Sequence, residues 1–144
     1  MAFALVTMPA AARASDWRVA TGISETSAGR ALGFIDAEAI HRTGDRVTFY
    51  AFLIYEPDRR GFDNAIVHFE ADCVNLTFES TQVSSYRGHR RVGNVGPSER
   101  GRAAPNSAGS GLIEAACGAM PLDPKRILDP YDFTRRNVRT GWNR

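Results

Sequence analysis

Three histidines, two cysteines and one run of arginines are the side chains of this 144-residue chain whose types bear on chemistry. His68 shares an alternating segment with Glu70 and Asp72. Side chains two apart on a strand point the same way, so His68 and Glu70 are placed to chelate weakly, although a solvent-facing polar strip is the simpler reading. His41 lies beside an expected hairpin and His89 in a Gly- and Arg-rich loop. A zinc site wants three or four converging nitrogen, sulfur or carboxylate ligands, and the spacing assembles none, so no metal and no cofactor are expected. Ser84, Ser85 and His89 are near one another in sequence, but no nucleophile-elbow glycines surround them. Gly93, Gly96 and Gly101 lack the spacing and the strand–helix context of a phosphate-binding loop. The residues therefore point away from an enzyme, with no catalytic residue assigned. A small hydrolase using His68 or His89 stands as an alternative.

The densest charged segment is Tyr86-Arg87-Gly88-His89-Arg90-Arg91, with Arg100 and Arg102 following. Planar guanidinium groups suit bidentate contacts to carboxylate, sulfate or phosphate. Arg87, His89, Arg90 and Arg91 are the candidate partner-binding residues; a solvated loop is the competing reading. The formal net charge of +2 is too small for a nucleic-acid footprint. The preference for Arg, with Lys125 as the only lysine, reads as a compositional bias. The expected partner is a macromolecule: an envelope or host protein, or an anionic polysaccharide.

Residues 1–14 read as a signal peptide. Met1 to Met8 is largely apolar, Pro9 follows, and Ala12-Arg13-Ala14 is a signal-peptidase site with small residues at its first and third positions. No Lys or Arg precedes the apolar run, which is what a start placed too late would leave. No cysteine lies near Ala14, so no lipid anchor is expected. No other apolar run approaches the roughly 20 residues of a membrane helix. These features imply export to the periplasm or beyond. In an oxidising compartment Cys73 and Cys117 most simply form one disulfide, worth about 4 kcal/mol in the chain-entropy model. Two free buried thiols in a cytosolic protein is the alternative, and it depends on the signal peptide being absent.

The elements that must position these residues follow from periodicity and turn chemistry. Trp17–Ile23 predicts a first strand, 24–29 a loop, and Ala31–Asp36 a second strand with Leu32 and Phe34 on one face and Ile35 on the other. A turn at Ala37–Ala39 and a hairpin at Thr43-Gly44-Asp45 lead into Arg46–Tyr55. That strand is apolar on both faces, as a central strand covered on both sides should be. Glu56–Gly61 predicts a turn. From Ala65 to Tyr86 the apolar phase flips after Cys73; with no Gly or Pro there, one long strand bent by a bulge at Asp72–Val74 is expected. Residues 87–107 predict a mobile loop with a short edge strand at Arg91–Val95. Ser110–Ala116 predicts a short helix stopped at Gly118. Asp123-Pro124 and Asp129-Pro130 each place a capping carboxylate before a helix-starting proline, the second helix running Pro130–Asn137.

The Trp17 strand, Phe34-Ile35-Asp36-Ala37, Gly44-Asp45-Arg46-Val47, Glu70-Ala71-Asp72-Cys73, and Tyr86 before a Gly-rich loop form one pattern with a helix ending at Cys117. That pattern resembles the surface-adhesin protein E-like family of small bacterial envelope proteins over residues 16–118. The resemblance implies an antiparallel sheet with a packed C-terminal helix. Its founding adhesin is an anchored lipoprotein that binds host matrix proteins; this chain departs in the anchor and in a tail over 119–144. The expectation is an α+β domain over 15–118, with the helix pinned by Cys73–Cys117 and a mainly helical tail. Its expected role is a non-catalytic exported envelope protein binding a macromolecule, with a periplasmic accessory or inhibitor module as the alternative.

Overall fold

Arg46–Tyr55, apolar on both faces, is the ten-residue strand at the centre of the architecture. In the computed structural model, which describes residues 15–57, 61–93 and 99–138, it is β4 of an antiparallel sheet. The strands are β1 (Trp17–Thr26), β2 (Gly29–Asp36), β3 (His41–Thr43), β4, β5 (Asn64–Asp72), β6 (Thr77–Arg87), β7 (Arg90–Gly93) and β8 (Arg100–Arg102). Their order is β1-β2-β4-β5-β6-β7, with β3 beside β4 and β8 beside β6. Among the described residues two α-helices, α1 (Ala108–Ala116) and α2 (Pro130–Asn137), and a 3-10 turn at Ala37–Ala39 complete the fold. The protein is thus predominantly β rather than evenly α+β. The expected signal segment 1–14, part of the turn at 58–60 and the end of the expected edge strand at 94–95 lie outside the described residues. Among the described residues no helix is long and apolar enough to cross a membrane.

Both faces of β4 are covered. Val47, Phe49, Ala51, Leu53 and Tyr55 join Val67, Phe69 and Ala71 of β5 under α1, which contributes Leu112 and Ile113. The opposite face carries Leu32, Phe34 and Ile54 with Trp17 and Ile127, and Phe52, Tyr131 and Phe133 pack against this cluster. The tail is what covers this second face. Ile127 bridges to Trp17, its amide donating to the Trp17 carbonyl at 2.8 Å. Phe133 meets Phe34 edge-on at 6.0 Å.

Cys73 and Cys117 are joined, with a Cα separation of 5.8 Å. The bond ties the end of β5 to the end of α1, and Arg42 adds a hydrogen bond to the Cys117 carbonyl at 2.9 Å. Ser107 caps α1 by accepting from the Ser110 amide. Gly118, at φ +80°, ends the helix in the left-handed region that glycine enters without strain.

The expected single bent strand from Ala65 to Tyr86 is instead a hairpin. β5 turns at 73–76 and β6 returns antiparallel to it, Ala71 opposite Phe78 and Asn64 opposite Tyr86. No glycine is needed because the Asp72 carboxylate builds the turn: its Oδ1 accepts from the Val74 and Asn75 amides at 2.8 and 2.9 Å. Leu76 takes up the reversal at φ +54°. The phase flip after Cys73 is therefore a change of strand. Other boundaries also move: β1 runs on to Thr26, the edge strand expected at Arg91–Val95 is β7 at Arg90–Gly93, and the rest of 87–107 holds a further strand, β8, in place of loop alone. Among its described residues, 119–138, the tail is not mainly helical: only Pro130–Asn137 forms a helix. Asp123 caps a bend through the Lys125 amide at 2.8 Å, but no helix follows. Pro130 disfavours helical geometry at Asp129, and Ile127 is drawn into its bridge with β1.

Candidate functional site

The arginine run lies on a hairpin at the edge of the sheet. β6 and β7 pair Arg87 with Arg90 across a two-residue turn of Gly88 and His89. Gly88 sits at φ +59°, the conformation a two-residue hairpin fills with glycine at its first turn position. The turn is gripped by Asp63, just before β5, and by Asn64, its first residue. The Gly88 amide donates to Asp63 Oδ1 at 3.0 Å, and the Gly88 carbonyl accepts from Asn64 Nδ2 at 2.9 Å. Asn64 is 1% exposed, and its second amide hydrogen goes to Asp63 at 2.8 Å. Arg87, His89, Arg90 and Arg91 are all exposed around this anchored turn.

His89 reaches the tail. Its Nε2 is 2.8 Å from Asp129 Oδ2 and 3.8 Å from Asp132 Oδ1. Its ring meets the Tyr131 ring edge-on at 5.3 Å. Tyr131 in turn donates its hydroxyl hydrogen to Asp63 Oδ2 at 3.1 Å, accepts from Arg135 Nε at 3.1 Å, and lies under the Arg135 guanidinium. Asp63 thus holds the hairpin through one oxygen and α2 through the other. The hydrogen bond to Asp129, then its charge, raises the His89 pKa against desolvation, and the charge of Asp132 adds to the rise. Burial pushes the Asp129 carboxyl up, but the Asp132 amide and His89 together outweigh it and leave its pKa lowered.

His89, Asp129 and Asp132 each offer one ligand atom, all within 4.8 Å of one another, and these are the residues that could hold a divalent cation. The electrostatics favour the ion pair. Asp129 already caps α2 through the Asp132 amide at 3.0 Å, and the helix N-terminus presents its positive end there. Beside the pair lies a shallow cleft of about 240 Å³, walled by Trp17, Phe52, Ile66, Tyr86, Leu128 and Tyr131. Leu128 is 83% exposed at its rim.

No family model matches the chain, and no curated protein matches it. Among solved structures the chain is similar to Haemophilus influenzae protein E in one of its crystal forms. The identity is 14%, the match covers 71% of this chain and 96% of that one, and the TM-score is 0.47.

The remaining candidates are dispersed. His68 pairs its Nδ1 with Thr81 Oγ1 at 2.6 Å and tilts against the Tyr50 ring at 4.6 Å. Glu70, its suggested co-ligand, faces Arg46 at 3.8 Å. His41 is exposed on β3, and Ser85 is fully buried. Arg100 and Arg102 belong to β8, which pairs with the opposite end of β6, and Arg100 is bound to Glu79 at 3.0 Å. Their partners Glu79 and Thr77 lie 9 and 11 residues before Gly88 on β6, which at roughly 3.3 Å per residue places them about 30–35 Å from the Gly88 turn. Sequence reasoning found His89 and the Asp129 cap separately. It missed Asp63, Asn64 and Tyr131, whose convergence depends on strand register and tail docking.

Proposed function

We propose that this protein is a non-catalytic, exported binding module that holds an anionic macromolecule against the Arg87–Arg91 hairpin. The observation that carries the reading is the grip on the Gly88 turn, whose amide and carbonyl are bound by the side chains of Asp63 and Asn64 while His89 is tied to Asp129. Exposed arginines on an anchored turn lose little backbone freedom on binding, and that preorganisation favours recognition. Guanidinium groups supply bidentate contacts to carboxylate or sulfate. The cleft between Tyr86 and Leu128 adds an apolar foothold next to them. The Cys73–Cys117 bond suits an oxidising compartment.

The test uses immobilised heparin as an anionic polysaccharide and salt elution as the readout. The combined variant Arg87→Gln/Arg90→Gln/Arg91→Gln is expected to elute at clearly lower salt than the parent, with an unchanged circular dichroism spectrum. Equal elution would discard the hairpin as the contact. Protease shaving of intact producing cells, with a periplasmic control protein, separates display outside the cell from a periplasmic accessory role. The hydrolase alternative would draw on the His89–Asp129 pair. It requires turnover of p-nitrophenyl acetate that disappears in His89→Asn, whereas the binding reading expects no turnover dependent on His89.

A further inference from the structure

On the sheet face opposite the Tyr86–Leu128 cleft, the core under α1 is not filled. A cavity of about 310 Å³ remains there, walled by Phe49, Leu53, Phe69, Phe78, Leu112 and Ile113. The space exists because the segment entering α1 faces these large side chains with Ala103, Ala104, Ala108 and Gly109. Protein interiors ordinarily close such gaps, and an apolar pocket of this size with a few polar groups at its edge is the usual form of a small-molecule site.

The polar groups are gathered at the mouth. Glu25, Ser27, Glu99 and Arg102 line it. Glu99 is fixed in place: its amide donates to Ser80 Oγ at 2.7 Å, its carbonyl accepts from the Ser80 amide at 2.8 Å, and its carboxylate accepts from the Ser27 hydroxyl. Burial pushes the Glu99 carboxyl above its usual range, so a positive charge or a hydrogen-bond donor brought beside it is favoured. Two carboxylates against one guanidinium make the mouth net acidic.

We propose that this cavity binds a small apolar molecule with a cationic or neutral hydrogen-bonding head, the head lying between Glu25 and Glu99. Scaling from a cavity of about 150 Å³ that admits benzene, the apolar part is about two fused rings. Anionic amphiphiles of the same shape are disfavoured by the acidic mouth. The site is independent of the hairpin: it lies under α1, on the other face of the sheet.

Three probes with one ring system test both shape and charge: 1-naphthylmethylamine, 1-naphthylmethanol and 1-naphthoate. Each is titrated into the oxidised protein while the methyl resonances of Leu112 and Ile113 are followed. The amine and the alcohol are expected to shift these methyls saturably, and naphthoate to bind weaker than the amine by about tenfold or more. Gly109→Leu is chosen to fill the cavity, since a Cβ added there meets Ser107 and Ala103 only at ordinary contact distances of 3.6 and 3.7 Å. It should abolish binding of all three probes while the protein stays folded. Ala104→Leu provides a second filling variant, and Glu25→Gln/Glu99→Gln should close most of the gap between amine and naphthoate. No saturable shift with any probe, equal binding of naphthoate and amine, or binding that survives both filling variants would overturn the proposal.

Discussion

His89 Nε2 lies 2.8 Å from the carboxylate of Asp129, 40 residues further along the chain, and the contact joins the edge hairpin to the tail helix. Tyr131, two residues beyond, reaches Asp63 at the base of the same hairpin. Two polar links from one turn of α2 therefore hold the β6–β7 edge, while Ile127 and Phe133 hold the tail through apolar contact.

The His89–Asp129 link titrates. The folded protein raises the His89 pKa above its ordinary value, so the stabilisation is complete below about pH 6.5 and is lost as pH rises through the raised folded value. Asp129 has a lowered folded pKa, so its share is present above about pH 4 and is lost as pH falls through that lowered value. The window of full effect lies between these limits. In an NMR titration the His89 ring proton should show a raised midpoint that falls in Asp129→Asn, a variant that retains the helix cap. The Tm difference between the parent and His89→Gln should be greatest within the window and shrink above it. A difference that stays flat into the alkaline range would mean the pair does not stabilise the fold.

Tail docking has an apolar anchor that can be weighed alone. Ile127 is 5% exposed between Trp17 and the second face of the sheet. Removing a buried isoleucine to alanine costs about 2–5 kcal/mol, the upper part applying where the site does not collapse. Urea unfolding of Ile127→Ala should show a loss of that order in one cooperative transition. A loss confined to the tail, with the sheet melting at its original midpoint, would show the tail to be a separate unit.

Much of this scaffold is written in local patterns. The ten-residue alternation of β4, the Thr43-Gly44-Asp45 turn and the Asp129-Pro130 start of α2 each depend on residues adjacent in the chain, and each is found at its expected place. The turn after Asp72 escaped because a carboxylate, rather than Gly or Pro, reverses the chain there. The same limit applies to the site. The run Arg87–Arg91 is visible as composition, but what stiffens it comes from Asp63, Asn64, Asp129 and Tyr131, which converge only once β5, β6 and the tail have packed. The cavity under α1 is equally non-local, since Ala103 and Gly109 read as unremarkable small residues until Phe69 and Phe78 face them.

The Cys73–Cys117 bond closes a span of 44 residues that contains β6, β7, β8 and α1. Constraining the unfolded chain over a loop of this length is worth about 4 kcal/mol in the entropy model. The double variant Cys73→Ala/Cys117→Ala should lose stability of that order in urea unfolding. Reduction of the parent protein should give the same loss. An effect below about 1 kcal/mol would mean that the packing of Leu112 and Ile113 alone holds α1 in place.

The approach of α1 to the sheet turns on Thr21, which is wedged between two glycines. A side-chain carbon added at Gly33 would lie 2.6 Å from Thr21 Oγ1, and one added at Gly111 would lie 2.8 Å from Thr21 Cγ2. Thr21 is 8% exposed on β1 and short, so it has little room to yield, and its hydroxyl has no hydrogen-bond partner among the described residues. Gly33→Ala is therefore expected to cost about 1–3 kcal/mol through overpacking. The cost should depend on Thr21. In a Thr21→Ala background the contacting oxygen is gone, and the same substitution at Gly33 should cost less than about 1 kcal/mol, a coupling typical of residues in direct contact. Denaturant unfolding of the four proteins in this cycle measures that coupling. Additive losses would place the strain of Gly33→Ala elsewhere, at Leu112 Cδ2, the next atom in its path at 3.3 Å.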